Sequence, residues 1–207
     1  MKTHTRFLTA LGITCCALLV SAASTQAKAS EQTIKNLNAA YQGESNASNR
    51  YAKFAEKADA EGYRQVAKLF RAASAAEAIH RDTHKATILE LGGVVETFQL
   101  DPVNPGTTAE NLKAAIKGES YERDTMYPDF IAVAKADDAR AAVRAFQFAL
   151  AAEKEHAKLY QQALDMLGKN APADYYVCQV CGMTLTELPA KKCPVCHKSR
   201  DEYRKIN

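Results

Sequence analysis

The chain of 207 residues contains no tryptophan, and no cysteine falls between residues 17 and 177. The second absence bars thiolates from any site in that long middle stretch. The first, with aromatics at only 8% and alanine in abundance, favours close-packed helices over a β-sandwich. Surplus charge is lacking as well. The formal net charge of +3 is carried by Lys2, Arg6 and Lys28, and residues 1–29 hold no acid. The remainder is formally neutral, which gives little support to a polybasic surface for nucleic acid or membrane. Only one long apolar run occurs, from about Phe7 to Ala23, and it is short for a full membrane span. Lys2 and Arg6 precede it and Ala27-Lys28-Ala29 follows it, so residues 1–29 read as a secretory signal peptide cleaved before Ser30. No twin-arginine pair accompanies the run, and the residues before Cys15 and Cys16 make a poor lipidation site. The expected protein is exported unfolded to the periplasm, takes up any metal there, and keeps no stable membrane insertion.

From Glu31 to about Gly168 the pattern predicts four long helices. The first carries Ile34, Leu37, Tyr41, Ala47, Tyr51 and Phe54 at three- and four-residue steps, with Glu44 on the same stripe. The second, from about Tyr63 to Leu91, has the stripe Val66, Phe70, Ala73, Glu77, His80, His84, Ile88. Residues 93–106 then form a connection long enough for a crossover between two helix pairs. The third helix opens on a capping box, Thr107 with Glu110. Its predicted stripe is Leu112, Ile116, Glu119, Glu122/Arg123, Met126, Phe130, with a kink at Pro128. The fourth starts near Asp137, with the stripe Val143, Phe146, Ala149, Glu153, His156, Tyr160, Leu164. Residues 30–170 therefore form one helical bundle, and residues 171–207, short and cysteine-bearing, a second module.

The two halves of the bundle repeat. Glu44 matches Glu119 at an offset of 75, and Glu77-x-x-His80 matches Glu153-x-x-His156 at an offset of 76. "GESNASNRY" in the first half corresponds to "GESYERDTMY" in the second, where Glu122 stands against Ala47. Glutamates on buried stripes repel one another unless cations compensate them. One glutamate from each of two helices and Glu-x-x-His from each of the other two is the ligand plan of di-iron and di-manganese carboxylate bundles. Carboxylate with a little imidazole, and no sulfur, suits redox-active iron or manganese. His84 lies one turn past His80, as a hydrogen-bonded core histidine or a proton relay. Tyr51 and Tyr127 are core aromatics or donors to the ligand carboxylates.

Cys178-x-x-Cys181 and Cys193-x-x-Cys196 make a tetrahedral four-thiolate site rather than two disulfides. Such a site holds zinc structurally or iron for electron transfer, and spacing does not separate the two. A neighbouring redox centre gives iron a use.

Together these motifs resemble rubrerythrin over nearly all of residues 31–207. The elements that carry the resemblance are Gly43-Glu44-Ser45 with Asn49-Arg50-Tyr51, Glu77-x-x-His80, Gly118-Glu119 with Glu122 and Met126-Tyr127-Pro128, Glu153-x-x-His156 and the two cysteine pairs. The resemblance implies a ferritin-like four-helix bundle followed by a small rubredoxin-like domain. It implies two irons held by Glu44, Glu77, His80, Glu119, Glu122, Glu153 and His156, with His80 and Glu122 exchanging as ligands of one iron. It further implies a third iron on Cys178, Cys181, Cys193 and Cys196, supplying electrons from the neighbouring subunit of a head-to-tail homodimer. The implied activity is peroxidase: reduction of hydrogen peroxide to water in oxidative stress defence. Met183 stands where an aromatic is common and Tyr176 where Trp is frequent in that family, departures that touch the module's potential and partner surface and not its ligands. The signal peptide points to an exported donor, a cytochrome or another small iron protein. A ferroxidase of the ferritin class and a non-enzymatic electron carrier are the rival readings.

Overall fold

The computed structural model describes residue 1 and residues 29–207; the signal peptide expected over residues 1–29 lies almost wholly outside them. Among the described residues no helix is long and apolar enough to cross a membrane. Helix α1 spans Glu31–Ala60, capped by the Ser30 side chain, which accepts from the Thr33 N–H. The side chains of Ser30 and Thr33 also donate to Asp137, which ties the start of α1 to the far turn of the second helix pair. α2 spans Arg64–Glu90. The long crossover that follows has no regular structure, yet it is pinned. Asn38 bonds Val94 O and the Glu96 N–H, and Asn46 bonds Asp101 through both its carboxylate and its N–H. Two side-chain amides from α1 thus satisfy backbone groups that a surface loop would leave to water.

α3 spans Thr108–Tyr121 and begins with the expected capping box of Thr107 and Glu110. A five-residue π-helical turn, Glu122–Met126, joins it to α4, Tyr127–Ala136. α5 spans Arg140–Asp165. The π turn corrects the sequence-based stripe of this region. Beyond Glu119 the buried residues are Tyr127, Ile131 and Ala134, not Met126 and Phe130. A π turn absorbs one residue more than an α turn, so everything after it is displaced by one position. The disturbance expected at Pro128 therefore takes the form of a π turn just ahead of it.

The module is a three-stranded antiparallel sheet in the order β2-β1-β3, with β1 Tyr175–Cys178, β2 Thr184–Leu185 and β3 Tyr203–Ile206. β1 pairs Val177 with Thr184 on one side and Cys178 with Tyr203 on the other. All three strands lie against α2, and β2 also reaches α5. Tyr175, Val177 and Ile206 are buried with the bundle's own apolar residues. Arg71 on α2 donates to Asn207 O at 2.7 Å, and Gln65 donates to Ala173 O at 3.0 Å.

The bundle core is split. One apolar cluster gathers Tyr51, Phe54, Phe70 and Tyr160; the other gathers Leu37, Ile88, Tyr127 and Phe146. On each long helix a buried polar group separates the two: Glu44 on α1, Glu77 and His80 on α2, Glu119 on α3, Glu153 and His156 on α5.

Candidate di-metal centre and its thiolate neighbour

Each Glu-x-x-His pair lies on one helix face, because residues three apart are neighbours on an α-helix. His80 Nδ1 stands 2.9 Å from Glu77 Oε2, and His156 Nδ1 3.0 Å from Glu153 Oε2. Two overlapping quartets result. Glu44, Glu77, His80 and Glu153 converge within 4.8 Å, as do Glu77, Glu119, Glu153 and His156. Glu77 and Glu153 belong to both, as bridging carboxylates would. All six residues are buried.

The two tyrosines are wired reciprocally. Tyr51 of α1 donates to Glu119 Oε1 at 2.6 Å, and Tyr127 of α4 donates to Glu44 Oε1. Each repeat supplies the phenol that holds the other's lone glutamate. Tyr51 follows Glu44 by seven residues, two α turns, while Tyr127 follows Glu119 by eight. The π turn takes up the additional residue and returns Tyr127 to the inward face. This one insertion accounts for the change of repeat offset from 75 at the lone glutamates to 76 at the Glu-x-x-His motifs. His84 Nε2 lies 3.2 Å from the Tyr127 hydroxyl, which already donates to Glu44, so His84 is the donor there. Burial and the nearby His80 push its pKa down to about 3, so it is neutral.

Glu122 opens the π turn, is half-buried, and belongs to neither quartet. The structure thus brings together six of the seven expected di-metal ligands and leaves the seventh beside them.

The electrostatics show what the site needs. Burial and then mutual repulsion push Glu44, Glu153 and Glu122 well above the usual carboxylate range. Burial and Glu77 raise Glu119 to about 7. Glu77 alone moves the other way: burial opposes its ionisation, but His156 and His80 outweigh that and lower it to about 2. One oxygen of each of Glu44, Glu77, Glu119 and Glu153 is buried with no hydrogen-bond partner. Four orphaned oxygens in a slab between two apolar layers fit a pair of divalent cations, which would take those lone pairs and relieve the repulsion.

In the module, the Cys178–Cys196 and Cys181–Cys193 sulfurs are 3.7 and 3.6 Å apart, well beyond disulfide length, and all four lie within 4.8 Å of one another. Two matching turns present them. The Gly182 N–H bonds Cys178 O, and the His197 N–H bonds Cys193 O. The residue after each pair has positive φ: +72° at Gly182 and 59° at His197. The Tyr203 hydroxyl donates to Cys193 Sγ at 3.2 Å. Hydrogen bonding from Cys181, helped by the Val180 and Cys181 amides, lowers the Cys178 thiol to about 5 despite burial. Three of the cysteines are buried and Cys196 is half-buried.

The two sites meet within one chain. His80 Nε2 lies 3.1 Å from Cys181 O, and His156 Nε2 lies 2.9 Å from Thr184 Oγ1. A Cβ at Gly182 would overlap the His80 imidazole. The expectation of electrons from a neighbouring subunit thus meets a chain whose own module already covers its own histidines. Nothing in the sequence pattern signalled this contact or singled out Thr184.

Fold and site together define a ferritin-like carboxylate bundle joined to a four-thiolate, rubredoxin-like module. The rubrerythrin family model matches residues 35–164. Rubrerythrin-2 of Clostridium acetobutylicum is 34% identical, over 81% of this chain and 93% of its own length. Nigerythrin of Nitratidesulfovibrio vulgaris is 35% identical, over 83% and 85%. The chain belongs to the rubrerythrin family. Among solved structures, fully reduced, all-ferrous nigerythrin superposes with a TM-score of 0.76 at 32% identity, over 90% of this chain and 91% of that one. Mycobacterium tuberculosis bacterioferritin BfrA, at 22% identity and a TM-score of 0.62, shares the bundle fold.

Proposed function

We propose that the protein is a non-haem di-iron peroxidase that reduces hydrogen peroxide to water, fed through its four-thiolate iron. The observation that carries this reading is the pair of carboxylate–imidazole quartets sharing Glu77 and Glu153, placed against the four-cysteine turn of the same chain. Reduction of one peroxide takes two electrons and two protons and yields two waters. Two irons held by Glu44, Glu77, His80, Glu119, Glu153 and His156 would supply the two electrons, and a third on the cysteines would restore them singly.

The chain's own residues do the rest. Tyr51 and Tyr127 fix the carboxylates of Glu119 and Glu44, so these do not rotate as charge at the site changes. The apolar clusters above and below exclude bulk water. Burial, with Glu119 and Glu77 nearby, pushes the Glu122 carboxyl well above its usual range, which suits it to hold a proton beside the quartet. His80 occupies the quartet while Glu122 stands outside it. An imidazole ligand adds no negative charge and suits the less charged, reduced state, and a carboxylate suits the more charged, oxidised one. Alternation of the two is the catalytic role given to them here. Glu122→Ala should keep the fold and the colour of the ferric thiolate site, and should lower peroxide consumption by about 10²-fold or more. Unchanged consumption would refute the role of Glu122.

The same reading extends to the setting. Residues 1–29 are removed on export to the periplasm, the chain works as a head-to-tail homodimer, and the donor is an exported cytochrome or small iron protein. The basic head, apolar run and Ala27-Lys28-Ala29 support export. N-terminal sequencing of the periplasmic protein should begin at Ser30, and a start at Met1 would overturn it.

A further inference from the structure

The hydroxyl of Thr184 offers an inference beyond the ligands themselves. A histidine can bind a cation through either ring nitrogen, and the hydrogen bond made by one nitrogen decides which is left for the metal. His156 turns Nδ1 toward the carboxylates, 3.0 Å from Glu153 Oε2 and 3.9 Å from Glu119 Oε1. Its Nε2 points out of the bundle and meets Thr184 Oγ1 at 2.9 Å. Thr184 is completely buried in β2, and its own hydroxyl proton goes to Gly182 O at 3.3 Å. That donation leaves the Thr184 oxygen to accept, so Nε2 is the protonated nitrogen and Nδ1 the one free to ligate.

We infer that Thr184 is a positioning residue for His156. The module's β2 fixes, through one hydroxyl, which nitrogen of a bundle histidine faces the di-metal centre. His80 Nε2 donates its corresponding bond to a backbone carbonyl, that of Cys181, which any residue could supply. At His156 the acceptor is a side chain, so the arrangement depends on the identity of residue 184. The module then supports the geometry of the bundle centre as well as passing electrons to it. This inference rests on the proposed di-metal site but not on the reaction run there.

The test uses the full chain with zinc in both sites and 15N-labelled histidine. In the native protein the His156 Nε2–H proton should give one downfield, slowly exchanging signal. Thr184→Val keeps the shape and β-branching and removes the hydroxyl, and with it both the acceptor for His156 and the donor to Gly182 O. It should shift that signal upfield, speed its exchange with water, and weaken zinc binding at the bundle site by about 10- to 100-fold in chelator competition. Thr184→Ser, which restores the hydroxyl, should return both readouts to native values. Loosening of the module through the lost bond to Gly182 would also disturb the His80 Nε2–H signal, which should stay in place. If Thr184→Val leaves the His156 signal, its exchange and the zinc affinity unchanged, or if Thr184→Ser fails to restore them, the inference is wrong. Neither readout involves peroxide, so failure here is distinguishable from failure of the peroxidase reading.

Discussion

Tyr51 and Tyr127 each cross the bundle to hold a carboxylate of the other repeat, and each bond is open to test. Tyr127→Phe removes the donor to Glu44 and the acceptor of His84 together. The metal-free chain should lose about 1–3 kcal/mol in denaturant unfolding, the usual cost of an unsatisfied buried polar group; unchanged stability would contradict this wiring. A second prediction concerns pH. Glu44, Glu119, Glu122 and Glu153 have folded pKa values raised above the ordinary 4.5, Glu119 to about 7. A raised carboxylate binds its proton more tightly in the folded state, so its contribution is fully present below pH 4.5 and is lost as pH rises through the folded value. The lowered Glu77 and His84 act in the opposite sense: the window of Glu77 lies between about 2 and 4.5, and His84, lowered to about 3, adds stability between about 3 and 6.5, one group against four. Unfolding of the metal-free chain should therefore show stability falling from about pH 4.5 to pH 7 and beyond, and saturating divalent metal should abolish that fall. A metal-free protein more stable at pH 7 than at pH 4.5 would contradict the account. At this scale the ligands were legible, because Glu-x-x-His needs only the pitch of one helix. That Tyr51 and Tyr127 donate to ligand carboxylates was one of two readings left open, but which carboxylate each reaches was not legible, because residues 68 positions apart meet only through the fold.

At the scale of elements, the sequence pattern predicted four helices, the crossover and the capping box, and it missed the π turn. A fixed 3.6-residue period has no place for an inserted residue, so the predicted stripe drifted to Met126 and Phe130 while the structure buries Tyr127 and Ile131. The two repeats do hold the clue: nine residues from Gly43 to Tyr51 against ten from Gly118 to Tyr127. Deletion of the exposed Thr125 should convert the turn to α-helix and restore the seven-residue spacing of the first repeat. Melting temperature should not fall, since the inward stripe is preserved. Peroxide consumption should drop about as far as in Glu122→Ala, because the turn that sets Glu122 beside the quartet is gone. Full activity in this variant would show that the π turn has no catalytic consequence.

At the scale of the whole molecule, the division into bundle and module followed from composition, but their docking did not, because it depends on side chains from both parts. Gly182 is the tightest point: it has φ +72°, and any side chain there would run into His80. Gly182→Ala should keep the ferric thiolate colour while slowing electron transfer from the module to the bundle by at least about tenfold. An unchanged rate would mean that this contact is not the route. The central claim is that the two quartets and the thiolate site form one peroxide-reducing unit. It is tested most directly by reducing the fully iron-loaded chain and following its reoxidation in a stopped-flow instrument against hydrogen peroxide and, separately, dioxygen. The account predicts that peroxide reoxidises both sites much faster than dioxygen does, with the bundle site leading and the thiolate site following. Reoxidation by peroxide no faster than by dioxygen would contradict it.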